Sequence, residues 1–441
     1  MFPGPLVEAN AGDRIVVKVT NKLASGTAIH WHGMYQNGTN WMDGTTGITQ
    51  CPIPPGQSFT YNFTVSNQWG TFWWHAHASS QYVDGIVGPL VVHSPEEPQL
   101  GQYDEDIIMM ISDYYHTDSK TLVSWYLSPE SEGSEPVPDN GLINGRNPFD
   151  CSKDSSAHFP TGNRCDPGAP HAHFSFQKGL RYRIRIINSG AFAAFHFSID
   201  NHRLTVIEVD GVDVQPVEVE RIPIHVAQRY SALVDANQTV GNYWVRADMN
   251  TNCFNDPNPA LDPSVRAIIH YDGAPLTTTV HGADKEEGMA GYVNKTSWEP
   301  LRGDATLFQA HQGVSTFDNS QLMVTFNRSM TVELVIINYD EGDHPFHLHG
   351  HTFYVLAIGS GGYMFDLSPP LQTKNPLRRD TVTIPAFGHA VIRFVTDNPG
   401  IWAFHCHIHW HMEAGLLVQF LSQPDAIQAF NIPEELKAMC K

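Results

Sequence analysis

Hydrophobic and polar residues alternate along the chain in short runs that are separated by glycine, proline and asparagine. The clearest run is RYRIRIIN at 181–188, and two similar runs, RIVVKVTN at 14–21 and VELVIIN at 332–338, also end in asparagine. Side chains that alternate with a period of two belong to strands with one buried face. Many short strands with turn residues between them are typical of β-sandwich domains. The pattern therefore predicts an all-β fold.

A second set of strand-like segments indicates an internal repeat. GTFWWHAH at 70–77, GNYWVRAD at 241–248 and GIWAFHCH at 400–407 align from their first glycine. Together with the asparagine-ended runs, they define one unit of roughly 150–170 residues that occurs three times. We therefore expect three sequential domains. Their predicted bounds are residues 1–101, 102–273 and 274–441.

Histidines occupy equivalent positions in the first and third repeats only. Each of these repeats carries two His-x-His pairs, whereas the middle repeat has Phe197 and Ile199 in one place and Arg246 and Asp248 in the other. A scatter of surface histidines would not fall on repeat positions. The terminal repeats are therefore expected to face each other across a shared metal site. The paired histidines are His30, His32, His75, His77, His347, His349, His405 and His407.

The spacing of the pairs indicates which metal they bind. Residues i and i+2 of a strand leave the same face about 7 Å apart, which is too far to chelate one ion comfortably. Each pair is therefore expected to bridge two ions, and four pairs suit a cluster of three ions. Imidazoles without carboxylates favour copper or zinc and exclude Ca²⁺ and Mg²⁺.

A cysteine is inserted in the last pair. Cys406 lies between His405 and His407, so in a strand its side chain leaves by the opposite face. Two further histidines can join it there: His344, and His411 five residues after the cysteine. One thiolate with two imidazoles is the ligand set of a blue-copper electron-transfer site, although zinc also accepts it. Because only electron transfer explains a thiolate bonded directly between two ligands of a second cluster, copper is preferred.

Composition narrows the range of partners. The chain has 26 Lys+Arg against 46 Asp+Glu and a net charge of −20, so binding to nucleic acid is not expected. Charged residues make up only 16%, with 30 prolines and 35 glycines, which favours strands and turns over long helices. No apolar run approaches the ~18 residues of a membrane span, so no membrane association is expected.

Sequons and cysteines suggest an extracellular protein. Five N-x-S/T sequons indicate a secreted glycoprotein, although the sequence shows no signal peptide and its opening residues read as a strand, which suggests a trimmed first strand. Cys151 and Cys165 bracket a polar loop and are the easiest local disulfide. If Cys406 binds a metal, five cysteines remain, and at least one has no partner. The sequons are at Asn37, Asn62, Asn237, Asn294 and Asn327.

Four segments together resemble the multicopper oxidases of the laccase type, and in particular the fungal pigment-laccase and ferroxidase branch. They are HWHGMYQNGTNWMDG, GTFWWHAHASSQYVDGIVGPLVV, HPFHLHGH and GIWAFHCHIHWHMEAGL. The resemblance covers nearly the whole chain. It implies three cupredoxin-like Greek-key β-sandwich or barrel domains and four copper ions (one type 1, one type 2 and two type 3). It also implies reduction of O₂ to water.

The resemblance distributes eleven ligands over these ions. It assigns His30 and His347 to type 2, His32, His75 and His407 to one type 3 ion, His77, His349 and His405 to the other, and His344, Cys406 and His411 to type 1. Leu416 stands at the axial position of type 1. Because leucine is not a ligand, a raised copper potential is expected.

The resemblance also implies roles for residues that bind no copper. Asp43 matches a carboxylate that moves protons to the cluster, and His409 stands where the family often has an acid. Phe192 stands where many phenol-oxidising laccases place a substrate-binding acid. Cys51 and Cys440 resemble a family disulfide, which would leave Cys253 as the odd thiol.

Three functions compete at this stage. The first is a secreted, monomeric laccase-like enzyme that takes single electrons from phenolic or aromatic substrates, with a solvent-facing ring edge of His411 as the contact. The second is a ferroxidase, because Asp340 and Asp200 match acidic positions that ferroxidases use for Fe²⁺. The third is copper storage, which gives the position of Cys406 no use.

Overall fold

The computed structural model describes residues 2–153, 165–166, 168–251, 254, 258–274, 298–301, 303–360 and 370–440. Strands dominate the described residues and are arranged in several sheets, so the predicted all-β class is confirmed. All three asparagine-ended runs and all three glycine-initiated segments form strands, as their alternation predicts. Among the described residues, no helix combines the length and the apolar character needed to span a bilayer.

The N-terminal repeat forms two sheets. Its strands are β1 (Val7–Asn10), β2 (Arg14–Thr20), β3 (Ile29–His32), β4 (Ser58–Thr64), β5 (Gly70–Ala76) and β6 (Val87–His93). One sheet has the order β1-β6-β5-β3, and β2 pairs with β4 in the other. In the antiparallel pair of β3 and β5, His30 lies opposite His75 and His32 lies opposite Trp73. This register places the histidines of both pairs on one face.

The middle repeat also forms two sheets, which have the orders β13-β12-β15-β10-β7-β8 and β14-β11-β16-β17-β9. A helix, α1 (Ser119–Tyr126), begins after Asp118, whose side chain accepts a hydrogen bond from the Thr121 N–H. The strands are β7 (Glu105–Tyr114), β8 (Asn140–Ile143), β9 (Ala172–Phe176), β10 (Arg181–Asn188), β11 (Ala194–Ile199), β12 (Leu204–Val209), β13 (Val212–Val219), β14 (Ile222–Ile224), β15 (Arg229–Asp235), β16 (Asn242–Asn250) and β17 (Ser264–Tyr271).

The C-terminal repeat has sheets of the orders β18-β26-β25-β20-β23 and β19-β24-β21-β22. Its strands are β18 (Met323–Phe326), β19 (Thr331–Ile337), β20 (His344–Leu348), β21 (Phe353–Gly359), β22 (Leu377–Arg379), β23 (Thr381–Ile384), β24 (His389–Val395), β25 (Gly400–Cys406) and β26 (Leu417–Ser422). Short helices accompany them: α2 (Thr306–His311), α3 (His409–Glu413), α4 (Pro424–Ile427) and α5 (Glu434–Ala438). In the pair of β20 and β25, His347 lies opposite His405 and Phe346 opposite Cys406.

The chain divides into two compact units. One contains the described residues of 1–5, 83–85 and 95–290, and the other contains those of 6–82, 86–94 and 291–441. The first and third repeats therefore fold into the same unit, as their shared histidine pattern suggests. The three domain boundaries drawn from the sequence stay a prediction.

One hydrophobic core joins the two terminal repeats. It includes Trp31 and Phe63 from the first repeat together with Leu307, Ile401 and Leu436 from the third. Complete burial of such a side chain contributes about 1.5–3 kcal/mol, so this core holds the two histidine-bearing sheets together. A disulfide between cysteines 51 and 440 lies in the same unit, and a second disulfide joins cysteines 151 and 165.

Both predicted disulfides are therefore confirmed. Cys406 is the one free cysteine among the described residues. Cys253 and the sequon asparagine Asn294 lie outside them.

The asparagine that ends the equivalent strand makes equivalent hydrogen bonds in each repeat. Asn21, Asn188 and Asn338 are buried, and each donates two hydrogen bonds from Nδ2 to backbone carbonyls of following segments. Each Oδ1 also accepts the N–H of the residue two positions later. This Asx turn ties the loop after the strand to its neighbours. The repeat seen in the sequence is thus a repeat of hydrogen bonding.

Candidate metal centre

The structure brings all eight paired histidines together in one buried chamber. Rings from the first and third repeats stack on each other, with centroids 4.0 Å apart for His30 and His349 and 3.8 Å apart for His32 and His347. The His405 ring lies 5.5 Å from that of His77. Strands β3, β5, β20 and β25 supply five of these side chains, because each strand points its i and i+2 residues to the same face. The other three, His77, His349 and His407, directly follow β5, β20 and β25.

Hydrogen bonds orient the imidazoles for metal binding. Nδ1–H groups of His30, His75 and His405 donate to the backbone carbonyls of Asp43, Ala76 and Cys406, each at 2.9 Å. An imidazole that donates from Nδ1 carries its lone pair on Nε2. Buried nitrogens without a hydrogen-bond partner confirm the expected pattern. They are Nε2 of His30, His75, His77 and His407.

The chamber keeps its histidines neutral. Burial, reinforced by the other imidazoles, lowers the pKa of His75, His77, His405 and His407 well below the ordinary value. Burial and His30 lower the pKa of His349 to about 3. Neutral imidazoles with inward lone pairs are the form that binds a metal.

One contact tests directly whether a cation fits. Nε2 of His349 and Nε2 of His405 are 3.1 Å apart, while Nδ1 of His349 donates to Asp43 Oδ2 at 2.9 Å and Nδ1 of His405 to a carbonyl. Two lone pairs therefore face each other, an arrangement that a positive ion stabilises. With His77 these nitrogens lie within 4.8 Å of one another.

Three other close groups of donor atoms lie in the described part of the chamber: His30, His347 and His349; His30, His32 and His75; and His32, His347 and Asp380. His407 lies outside these groups, although its ring centroid is 5.0 Å from that of His32 and 5.3 Å from that of His75. The donor set fits copper ions. The way in which the ligands are divided among the individual ions stays a prediction.

On the opposite face of β25, the predicted thiolate site is assembled. Cys406 Sγ lies 3.6 Å from Nδ1 of His344 and 3.4 Å from Nδ1 of His411, and the two Nδ1 atoms are 3.1 Å apart. Burial alone would raise the pKa of the Cys406 thiol, but His411 and His344 lower it to about 7. A buried thiolate with two imidazole nitrogens fits the trigonal set of a blue-copper site.

Asp43 and Leu416 each share a hydrogen bond with a residue of the proposed sites, and their assigned roles stay predictions. Asp43 is fully buried, and its Oδ2 accepts hydrogen bonds from His349 Nδ1 and from the Thr45 hydroxyl at 2.8 Å. Burial opposes ionisation, but His349 and His30 lower the pKa of Asp43 well below its usual range. Leu416 is buried, and its carbonyl accepts the Cys406 N–H at 3.1 Å.

The predicted substrate-side residues are placed less uniformly. Asp340 contacts the thiolate site, since its Oδ2 accepts a hydrogen bond from His344 Nε2 at 2.8 Å. Asp200 lies in the other compact unit and forms a two-point ion pair with Arg246, at 2.6 and 2.8 Å. A solvent-facing ring edge on His411 was expected, but this residue is only 2% exposed. The reason is that it lies on helix α3, which packs against β25 rather than forming an open loop.

His409 and Phe192 are both buried. The His409 ring contacts Tyr82, with centroids 4.9 Å apart, and its Nε2 lies 3.4 Å from Glu413 Oε1. The Phe192 ring packs against Phe254 at 5.1 Å, and its backbone N–H donates to the buried carboxylate of Asp113.

Three residues of the chamber were not predicted from the sequence. Asp380 is buried, and its carbonyl accepts a hydrogen bond from His347 Nδ1 at 3.1 Å. The Trp73 ring lies 4.4 Å from His75, and Tyr82 lies 5.2 Å from the same histidine. Trp73 could have been found, because it precedes His75 by two residues and shares its strand face. Asp380 and Tyr82 come from other segments and carry no comparable signal.

Comparisons with known proteins agree with this geometry. Three family models, each described as multicopper oxidase, match residues 1–97, 105–274 and 286–426. Laccase-1 of Cryptococcus neoformans var. grubii is 36% identical over 100% of this chain and 79% of the relative.

The chain belongs to the multicopper oxidase family.

Within this family, the chain is similar to laccases and to iron oxidases alike. The iron transport multicopper oxidase fio1 of Schizosaccharomyces pombe is 36% identical over 99% of this chain and 74% of the relative. Among solved structures, the laccase of Botrytis aclada superposes with a TM-score of 0.85 and 32% identity, covering 100% of this chain and 85% of the laccase. The chain is a laccase-like oxidoreductase whose family implies four copper ions, of types 1, 2 and 3, and cupredoxin-like domains.

Proposed function

We propose that this multicopper oxidase is a secreted, monomeric glycoprotein that oxidises phenolic or aromatic substrates by one electron at a time and reduces O₂ to water. The observation that carries the proposal is the position of Cys406. Its thiol lies with His344 and His411 on one face of β25, while His405 and His407, bonded directly to it, enter the chamber on the other face. When bound, copper supplies the one-electron chemistry at both sites.

The chain's own residues then have separable roles. His344, Cys406 and His411 would hold the type 1 copper, and the eight chamber histidines would hold the type 2 and type 3 ions. The backbone from Cys406 to its neighbours would be the path for electrons between the two sites. Asp43 orients His349 and His30 from the far side of the chamber. His409, buried beside Tyr82, stands at the position where the family often has an acid and would relay protons there.

Ferroxidase activity is the second candidate, and one contact favours it. The Asp340 side chain is 14% exposed and accepts a hydrogen bond from the type 1 ligand His344, so a cation bound there would be one hydrogen bond away from the copper site. Asp200 gives this candidate less support, because Arg246 occupies both of its carboxylate oxygens.

Steady-state oxidation under air separates these functions. The purified, copper-loaded enzyme would be given a methoxyphenol, Fe²⁺ and a non-phenolic one-electron donor, each in parallel with copper analysis. We expect four copper ions and the highest kcat/KM for the phenol. Oxidation of Fe²⁺ alone would establish the ferroxidase, and copper binding without any oxidation would establish storage.

The variant Asp340→Ala then locates the substrate. Because the carboxylate can bind a phenolic hydroxyl or a cation, its loss should raise KM for phenols and for Fe²⁺ and barely affect the non-phenolic donor. Equal loss on all donors would indicate damage to His344, and Asp340 would then have no substrate role. Asp200→Ala, which removes a carboxylate of the other compact unit, is the matched control.

A further inference from the structure

Two exposed aromatic residues flank the segment that carries Asp340. Tyr339, the preceding residue, is 70% exposed, and Phe387 is 57% exposed. The Phe387 backbone N–H donates to the Asp340 carbonyl at 2.8 Å, so the two segments are joined at this point. Large aromatic side chains normally bury most of their surface. We call Tyr339 and Phe387 the aromatic rim.

The conformation of Phe387 is unfavourable for its residue type. Its φ of +48° lies in the left-handed region, where a bulky side chain is a genuine outlier and costs about 1–3 kcal/mol. A glycine follows at position 388 and would adopt such a φ without this cost. The strained turn therefore carries an exposed phenyl ring, and an exposed ring gains little packing energy that could offset the strain.

Hydrogen bonds hold the turn in this conformation. The Ala386 N–H donates to Asp343 Oδ1 at 2.8 Å, and Asn338 Nδ2 donates to the Pro385 carbonyl at 3.0 Å. Asn338 Oδ1 also accepts the Asp340 N–H at 2.9 Å. The rim is thus rigidly attached to the residue that binds His344.

We propose that the aromatic rim binds the ring of a phenolic substrate, with the substrate's hydroxyl directed to the Asp340 carboxylate. The inference rests on the proposed function and specifies where its substrate docks. An aromatic ring gains from stacking on exposed aromatic faces, whereas a hydrated Fe²⁺ ion gains little. The rim therefore selects phenols over iron at the same carboxylate.

The test measures binding without turnover. The probe is 4-nitrophenol, whose ring is hard to oxidise, titrated calorimetrically into copper-loaded enzyme. Phe387→Ala should weaken its binding roughly fivefold, the loss of one aromatic contact, and Tyr339→Ala should act in the same direction. Phe387→Tyr, which keeps a ring, should bind nearly as the parent does. Tyr354→Ala, which removes another exposed tyrosine of the same repeat, is the control and should change nothing.

Kinetics and spectra complete the design. In Phe387→Ala, KM for a methoxyphenol should rise by the same factor, while kcat, Fe²⁺ oxidation and the thiolate-to-copper absorption stay unchanged. If the alanine variant loses that absorption, Phe387→Leu, which keeps the bulk but not the ring, replaces it in every measurement. Unchanged 4-nitrophenol binding in the ringless variant would overturn the inference. Absence of phenol oxidation in the parent enzyme would instead overturn the proposed function.

Discussion

The middle repeat and the two terminal repeats are built alike and used differently. In all three, a buried asparagine ends the equivalent strand and makes the same pattern of three hydrogen bonds, two from Nδ2 to backbone carbonyls and one from a backbone N–H to Oδ1. At the fully buried position equivalent to Cys406, the other repeats have Ala76 and Ala247. The strand geometry that presents ligands is therefore present in the middle repeat without any ligand.

The repeats also differ in the partners of the side chains at the histidine-equivalent positions. In the middle repeat, Phe197 and Ile199 fill two of the equivalent positions with apolar side chains, and Arg246 and Asp248 fill the other two and form ion pairs with Asp200 and Arg266. In the terminal repeats, neutral imidazoles are buried with unpartnered nitrogens. Buried polar groups are costly unless they are paired. Arg246 and Asp248 of the middle repeat are partly exposed and have charged partners, whereas the buried imidazole nitrogens of the other two repeats are available to a metal.

The largest effect is expected from the residue that most distinguishes the repeats. Cys406→Ser should abolish oxidation of every donor, more than about a thousandfold, because the hydroxyl cannot replace the thiolate that joins the two sites. The blue absorption should vanish while the chamber keeps its copper. Spectra and copper analysis would show this, with Ala247→Ser as the control. Retained activity would rule out Cys406 as the electron path.

The copper-free terminal repeats should lose stability in acid. In the copper-free protein, His75, His77, His405 and His407 have lowered pKa values, because burial disfavours their charged forms. The unfolded chain therefore binds protons below pH ~6.5 that the folded chamber does not. Stability is complete above that pH and falls as the pH drops, by up to about 1.4 kcal/mol per histidine and pH unit.

Denaturation of both forms from pH 7.5 to 5 would measure the difference. The copper-loaded enzyme should be the more stable form at pH 7.5 and should lose at least as much stability over this range. Its metal-bound imidazoles bind no protons in the folded state, whereas the unfolded chain releases copper and binds them. Equal stability of the two forms throughout this range would contradict the assignment of the chamber as the metal site.

A smaller effect separates two of the equivalent asparagines. Asn338→Ala and Asn188→Ala should each lower the free energy of unfolding by roughly 2–3 kcal/mol, because buried backbone groups lose their partners. Only Asn338→Ala should also shift the blue absorption, since Asn338 holds Asp340, which binds His344. A shift in both variants, or in neither, would show that the asparagine does not position the type 1 site.

The smallest effect is expected at the axial position. Leu416→Met nearly conserves volume, so it should cost less than about 1.5 kcal/mol of stability. A thioether beside the thiolate should lower the reduction potential of the type 1 copper. Leu417→Met, at the adjacent buried position, should leave the potential unchanged, and redox titration of both variants makes the comparison. A rise in potential at Leu416→Met would contradict the axial assignment.

Much of the fold and of the ligand set could be read from the chain itself. Strands follow from local alternation, and the histidine pairs follow from a period of two, so both are encoded within segments of about eight residues. The repeat added long-range information, because equivalent positions such as His30 and His347 had to meet if both were to be satisfied. The period of two also predicted that the Cys406 side chain leaves β25 by the face opposite to that of its two neighbours.

Other features of the site depend on contacts between segments that are distant in sequence, and no periodic pattern of residues indicates these contacts. Asp380 reaches the chamber from the segment before β23, and the burial of His411 results from how helix α3 packs on β25. The sequence also carried no signal for two further features. These are the ion pair of Asp200 with Arg246 and the strained, exposed conformation of Phe387 beside Asp340. Exposure and pairing are properties of how several segments pack together, whereas strand periodicity is a property of one segment. That is why the grouping of the histidines could be predicted, whereas the exposure and partners of the residues proposed for substrate binding were decided only by the tertiary structure.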